Sequence, residues 1–355
     1  EETAETRSAA SFENELRALA ALAEKLHSRR MEEGSFDLDL PEAYVLLGPK
    51  GEPVAIARTP RNTAHRLVEE CMLAANRAVA DCLEEAEGAA VYRVHDPPDG
   101  EKLYSVREAL SNMGLPAPPS EKLKCPGSLQ DVLDAVLGKE TERFVNLLVL
   151  RSMKLATYEA APSMHFGLGF DRYTHFTSTI RRYADLLVHR RLKQLMRGER
   201  GESDRKRLAK ICAEISKAER SAEAAEREMV DFHKAVFMKK RIGKRFAGHV
   251  SGVTALGVFI ELDEVFVEGM VPLALMTDDY YSFLPEIHAV LGGRTGRQLR
   301  LGDPVSVRIE DVDLGQRRAT FQLLSGGSRV EGTEESGIRR RGRLRGMRRP
   351  AKARE

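Results

Sequence analysis

The densest set of side chains able to do chemistry lies between His165 and Arg190. The stretch opens as a loop rich in glycine, histidine and aromatics, in which Tyr173, His175 and Phe176 can stack on a nucleotide or hydrogen-bond to it. Thr177 and Ser178 are good N-cap residues, and Ile180, Ala184, Leu187, Val188 and Leu192 follow at helical spacing. With Ser178 as the cap, Arg181 falls in the first turn. Free backbone N–H groups, the positive end of the helix dipole and a guanidinium fork then converge, an arrangement that suits a phosphate. Asp185, one turn on, reads as the i,i+4 partner of Arg181. An ordinary capped helix with surface arginines carries the same pattern.

Several elements must position this stretch. Phe12, Leu16, Leu19, Leu22 and Leu26 give an amphipathic helix that stops near Gly34. Ser35 to Leu40 alternates as a half-buried strand, with Asp37 and Asp39 on the solvent face rather than holding a metal. Residues 43–47 and 54–58 read as a hairpin around Gly48–Gly51. Thr63 to Leu83 is a strong helix whose apolar face is Leu67, Val68, Cys71, Met72, Ala75, Val79 and Cys82. Its acids Glu69 and Glu70 read as a solvated face, and Cys71 and Cys82 as small core residues. Helices are expected over 104–113, 131–136 and 143–160, the first two joined by a Pro-rich connector.

From Ser203 to Arg245 two series repeat every seven residues: Leu208, Ile215, Ala222, Met229, Val236 and Ile211, Ala218, Ala225, Phe232. A coiled-coil dimer is one reading. The small residues favour a helix packed closely on its own domain, hence a monomer. Beyond Ile242 short strands alternate with Gly-rich turns, which fits a five-stranded OB-type barrel. Residues 326–355 are low in complexity and dense in arginine, the composition of a disordered tail that binds polyanions. The net charge is only +2, so nucleic-acid binding must rest on local clusters such as Arg181-Arg182, Arg190-Arg191 and Lys239-Lys240-Arg241. The four cysteines show no zinc spacing, and no apolar run approaches membrane-spanning length. A reduced, cytoplasmic or organellar protein with no membrane contact is expected.

The wording of the stretch adds to this. His165-Phe166-Gly167-Leu168, then Tyr173-Thr174-His175-Phe176-Thr177-Ser178, Ile180-Arg181-Arg182-Tyr183, Asp185-Leu186 and His189-Arg190 closely resemble the signature of the ribonuclease II/R (RNB) family of processive exoribonucleases. Thr179 stands where the family has proline, a loss of backbone pre-setting that leaves the chemical groups in place. Residues 67–76, 91–98 and 216–227 also resemble the family. Residues 248–253, 256–262 and 267–272 resemble the RNA-binding domain of ribosomal-protein-S-one type. Residues 278–283 and 293–297 resemble insertions of the ribonuclease R branch.

The resemblance implies an α+β chain. Residues 1–240 would be the C-terminal, helix-rich part of an RNB nuclease domain, and 241–325 an OB-fold RNA-binding barrel. It implies hydrolysis of RNA from the 3′ end to 5′-nucleotides. Arg181 would contact the scissile phosphate and stabilise its developing charge. Tyr173, His175, Ser178 and Tyr183 would line the RNA 3′ end, with Arg182 and His189 nearby in a structural role. One of Glu69 and Glu70 would lie near the ribose. On the barrel His249 and Phe259 would contact RNA, with Lys244 and Arg245 at the rim. Phe259 could equally point into the barrel core, and Leu256 stands where the family usually has an aromatic. The implied partner is single-stranded RNA, with the ribosome or structured RNA reached through the basic tail. The implied cofactor is magnesium, which needs carboxylates. The family supplies them from an Asp-Pro-x-Asp-Ala-x-Asp-x-Asp-Asp run, and this sequence has no such run. The chain is thus expected to begin after that run, as a fragment or split-gene product of an exonuclease, or else to be a non-catalytic RNA-binding paralogue.

Overall fold

A computed structural model describes residues 12–37, 43–58, 62–139, 141–199, 204–287 and 289–329. Helix α1 (Glu13–Glu32) ends at Gly34, whose φ of +94° suits glycine. Strands β1 (Ala43–Leu47) and β2 (Pro53–Arg58) form the expected hairpin. Helix α2 (Thr63–Glu85) starts at a capping box. Asn62 accepts from the His65 amide at 3.0 Å, and the His65 ring accepts in return from the Asn62 amide. Strand β3 (Tyr92–Val94), helix α3 (Gly100–Asn112), helix α4 (Pro126–Val136) and helix α5 (Glu142–Ser152) follow. The three helices close on a core around Leu110, Leu129 and Val149.

Helix α5 stops at Ser152 instead of running to Ala160. Residues 157–159 form strand β4 (Thr157–Glu159), antiparallel to β3, because Tyr158 is buried in the core those strands share with α2. Leu155, expected inside a helix, is exposed. Ser35–Asp37 are not in a strand, and residues 38–40 lie outside the described residues.

Helix α6 (Tyr183–Met196) begins four residues later than Ser178 capping implies, and α7 (Arg205–Lys239) is a single 35-residue helix capped by Asp204. Its heptad series is not a continuous seam. Ala218, Ala222, Ala225 and Met229 are exposed. The helix packs at its ends. Cys212 joins the core of β3, β4 and α6, while Ala235, Phe237 and Met238 join the core of the following barrel.

The barrel is closed. Strands β5 (Arg245–Val253), β6 (Gly257–Leu262) and β7 (Glu268–Pro272) are joined by β11 (Pro304–Asp313) and β12 (Arg318–Gly326) in the order β11-β12-β7-β6-β5. Val258, Ile260 and Leu262 of β6 face inward with Val307 and Phe321. Gly269 is needed because a Cβ there would overlap the Phe321 ring. Between β7 and β11 the chain builds β8 (Tyr281–Leu284), β9 (Ala289–Gly292) and β10 (Arg297–Arg300), and β13 (Ser328–Arg329), after β12, pairs with β10 to complete a four-stranded sheet. Gly326 to Arg329 thus belong to the fold, and the rest of the basic tail lies outside the described residues. The result is the expected α+β organisation of a helix-rich region and a five-stranded OB-like barrel.

Candidate functional site

Helix α2 does not bury the face its apolar residues suggest. The buried positions are Glu70, Asn76, Ala80 and Leu83, while Val68 and Cys82 are exposed and Cys71 is half-buried. Two of the buried positions are polar, and each has partners that explain its burial. The Glu70 carboxylate takes the Arg30 guanidinium at 2.7 Å and the His27 ring at 2.9 Å, locking α1 onto α2. Burial raises the pKa of Glu70, but the hydrogen bonds from Arg30 and His27 outweigh it and hold the carboxyl below its ordinary value. The Asn76 amide donates to the Tyr173 hydroxyl at 2.7 Å and accepts from the Phe176 N–H at 2.9 Å.

That leaves His65, Val68, Glu69 and Met72 to line an open pocket of about 470 Å³. The sequence motif left Glu69 and Glu70 undistinguished. The structure puts Glu69 on the pocket and Glu70 beneath α1. The opposite wall is the signature. Residues 173–176 run extended beside β3, with the Arg93 N–H donating to the Tyr173 carbonyl at 2.8 Å and the Thr174 hydroxyl to the Val91 carbonyl at 2.6 Å. Period-two alternation therefore turns Tyr173 and His175 to one side. Both line the pocket with Arg182.

The base of this wall is a ladder of edge-on rings. His95, His165, Tyr173, His175 and Tyr158 follow one another at centroid separations of 5.2, 5.3, 5.6 and 5.6 Å. The His175 Nδ1 pairs with the Tyr158 hydroxyl at 2.8 Å. Burial, with Arg182 and Arg93 close by, depresses the His175 pKa to about 2, and burial depresses His165 to about 3. His175 is therefore neutral near pH 7 and acts through hydrogen bonds and its ring face. Arg93 lies over the Tyr158 ring at 4.6 Å and is tied to Glu219 of α7 at 2.5 Å. Sequence reasoning assigned no role to Asn76, Tyr158 or Arg93. Asn76 carried a signal, since it stands on one helical face with Glu69 and Met72. Tyr158 was hidden in a segment read as helix.

The arginine pair is arranged differently from the expectation. Ser178 does not cap a helix that contains Arg181. Residues 178–182 form a turn, with the Arg182 N–H donating to the Ser178 carbonyl at 3.1 Å. The fully buried Asp185 carboxylate holds this turn by accepting from the Ser178 N–H at 2.7 Å. Its charge partner is Arg182, not Arg181. Arg182 donates through Nη2 at 3.1 Å and approaches through Nε at 2.9 Å, the latter a charge contact without hydrogen-bond alignment. Arg181 is exposed, as is Tyr183, and Ile180 stands entirely in solvent instead of on a helix face. His189 is structural in geometry. It stacks on Phe176 at 4.1 Å and pairs with the Phe176 carbonyl at 2.8 Å.

The barrel residues sit apart from this pocket. Phe259 points outward, since its neighbours Val258 and Ile260 fill the core. His249 is outward as well, paired with Asp263 at 2.7 Å, and it lines a cleft of about 1380 Å³ between the barrel and α5. Arg58, Lys139, Arg143, Lys154 and Arg300 also line this cleft, and Arg143 bridges it to Glu261 at 2.6 Å. Lys244, exposed just before β5, is not among the cleft residues.

Among the described residues no three His, Cys, Asp or Glu side chains converge as a metal site. Asp185 and Glu70 are both committed to arginines. The residues described thus do not fit a magnesium ion. Nor is any helix among them long and apolar enough to cross a membrane.

Comparison with known proteins agrees with this geometry. The RNB domain matches residues 1–198 and the S1 RNA binding domain residues 239–323. Ribonuclease R of Aquifex aeolicus is 42% identical over 313 residues, covering 87% of this chain and 44% of the relative. That of Escherichia coli is 35% identical over 321 residues, covering 87% and 39%. The solved structure of Mycoplasma genitalium RNase R in complex with ribose methylated single-stranded RNA superposes with a TM-score of 0.81 at 30% identity, over 88% of this chain and 49% of that one. The chain spans less than half the length of these relatives. With the signature, the pocket it builds and the barrel that follows all in place, the chain belongs to the RNB domain family of exoribonucleases.

Proposed function

We propose that the chain is the RNA-holding portion of a ribonuclease R-like 3′→5′ exoribonuclease that degrades RNA in the cytoplasm, and that it works as a monomer. The observation that carries this is the convergence of α2 and the signature on one pocket, with Tyr173, His175 and Arg182 on one wall and Glu69 on the other. A cavity of this size suits a nucleotide. The rings offer stacking faces to a 3′-terminal base, and Glu69 is placed to accept from a ribose hydroxyl. Arg182 is already engaged by Asp185, so its guanidinium is fixed in orientation. Arg181, exposed at the tip of the turn, is the arginine available to the scissile phosphate. Ser178 and Tyr183 flank it. The cleft beside the barrel, with His249 and its lysines and arginines, guides the strand, and Phe259 and Lys244 extend the barrel's contact surface. The basic tail adds affinity for structured RNA or ribosomes.

Hydrolysis in this reading needs magnesium carboxylates that the described residues do not provide. The full chain is therefore expected to bind single-stranded RNA with strong salt dependence and to degrade it little in magnesium. Adding a polypeptide that carries an aspartate cluster of the RNB type restores 3′ trimming, and Arg181→Ala abolishes that trimming while binding persists. Efficient trimming by the chain alone would overturn the division of labour. The absence of a carboxylate cluster among the described residues also favours a second reading, a non-catalytic RNA binder. Failure of any added half to restore trimming selects it.

A further inference from the structure

The sheet inserted between β7 and β11 contains an aromatic side chain that contributes nothing to the fold. Tyr280 is 91% exposed and lies in none of the packed cores. Its neighbour Tyr281 turns inward and packs against the barrel core. The backbone that displays Tyr280 is nevertheless held by many bonds. The Asp279 carboxylate accepts from the Tyr280 N–H at 2.7 Å, the Arg294 N–H at 3.0 Å, and the Thr295 N–H and hydroxyl, both at 2.6 Å. The Tyr280 carbonyl accepts from the Gly293 N–H at 2.9 Å. An exposed loop with so many bonds loses little entropy when a ligand meets it.

The charge around Tyr280 does not oppose a polyanion. Asp279 is surrounded by N–H donors, Asp278 is bonded by Tyr281 and Arg297, and the exposed Arg294 stands beside them. The sheet also leads somewhere. Strand β8 runs from Tyr281 to Leu284, and Ile287 just beyond it lines the cleft together with Arg300 of β10. Four strand residues span about 13 Å. Tyr280 thus stands at the outer end of a short sheet whose inner end is a wall of the cleft.

We propose that Tyr280 is a base-stacking platform for single-stranded RNA, with Arg294 beside it for the phosphate, which meets the strand a few nucleotides before it enters the cleft. This rests on the RNA-binding function proposed above. Every base has a π-face, so such a platform is indifferent to sequence.

The chain contains no tryptophan, so the Tyr280→Trp variant carries a single reporter. A strand of about 20 nucleotides should quench its emission, whereas an oligonucleotide just long enough to fill the pocket should not. Tyr280→Ala should weaken binding of the long strand by about five- to 150-fold, the range expected for one lost stack. Tyr280→Phe should bind like the unaltered chain, and Asp279→Ala, which frees the loop, should fall between. If the unaltered chain binds the long strand and Tyr280→Ala binds it equally well, the platform is overturned while RNA binding stands. If the unaltered chain binds no RNA, the proposed function and the platform fall together. Loss of binding by Tyr280→Ala with no quenching in Tyr280→Trp also overturns stacking.

Discussion

The pocket under α2 and the cleft beside the barrel are built on different physics. The pocket is about 470 Å³, and its one arginine is already paired with a buried carboxylate. Its other polar groups include the Glu69 carboxylate, the Tyr173 and neutral His175 rings, and the Asn76 amide, which is committed to hydrogen bonds within the wall. The cleft is about 1380 Å³ and lined by five lysines and arginines, with Glu142, Glu261 and Asp303 among them. A prearranged pocket whose arginine is already paired discriminates by shape and stacking. A charged cleft attracts any phosphate backbone and weakens with salt.

The comparison is broken most forcefully through the two neighbouring glutamates of α2. Glu70→Ala leaves Arg30 buried without its partner, and a loss of about 3–5 kcal/mol is expected in denaturant unfolding. Glu69→Ala should cost less stability than Glu70→Ala and instead weaken RNA binding. Equal stability losses would mean that both acids are structural.

Acid should come next. An unfolded histidine titrates near 6.5, while His165 and His175 are held near 3 and 2 in the fold. Below pH 6.5 the unfolded chain binds protons that the folded chain refuses, so stability falls as pH drops and is flat above. Each histidine contributes at most about 1.4 kcal/mol per pH unit in that window. Denaturation midpoints at pH 7.5 and 5.5 test this, and His175→Gln should shrink the difference. Glu70, whose pKa is lowered, adds stability above its ordinary value that is lost on further acidification.

Asn76→Ala removes the donor to Tyr173 and the acceptor for the Phe176 amide, at a cost of about 1–3 kcal/mol, and should weaken RNA binding without altering its salt dependence. The smallest and most diagnostic effect belongs to the cleft. Arg58→Ala or Arg300→Ala should lower the slope of log affinity against log salt by about 0.7 for a single strand. A pocket variant that changed the slope, or a cleft variant that did not, would erase the distinction.

Much of this was legible in the chain. The hairpin, the helix α2, the barrel strands and the signature all follow from local pattern. What was not legible depended on distant partners. Glu70 reads as a solvated acid until α1 brings Arg30 over it. Helical spacing pairs Asp185 with Arg181, but the buried carboxylate takes Arg182 and delays the helix to Tyr183. Tyr158 belongs to a strand only because β3 is there to pair with it. In each case the local signal was sound for an isolated segment, and a partner met only in the packed fold decided otherwise.

The solvent-exposed middle of α7 has a mechanical meaning. At 1.5 Å per residue the helix is about 52 Å long, gripped by the core of β3, β4 and α6 at one end and the barrel at the other. It is a ruler with a phase. One residue inserted near Ala222 would turn the barrel by about 100°, pulling Glu261 from Arg143 and tearing the cleft open, whereas seven would lengthen the ruler by about 10 Å and leave the barrel within about 20° of its bearing. Distance and direction between the two gripping surfaces are thus separately adjustable, by the count of residues along a single rod.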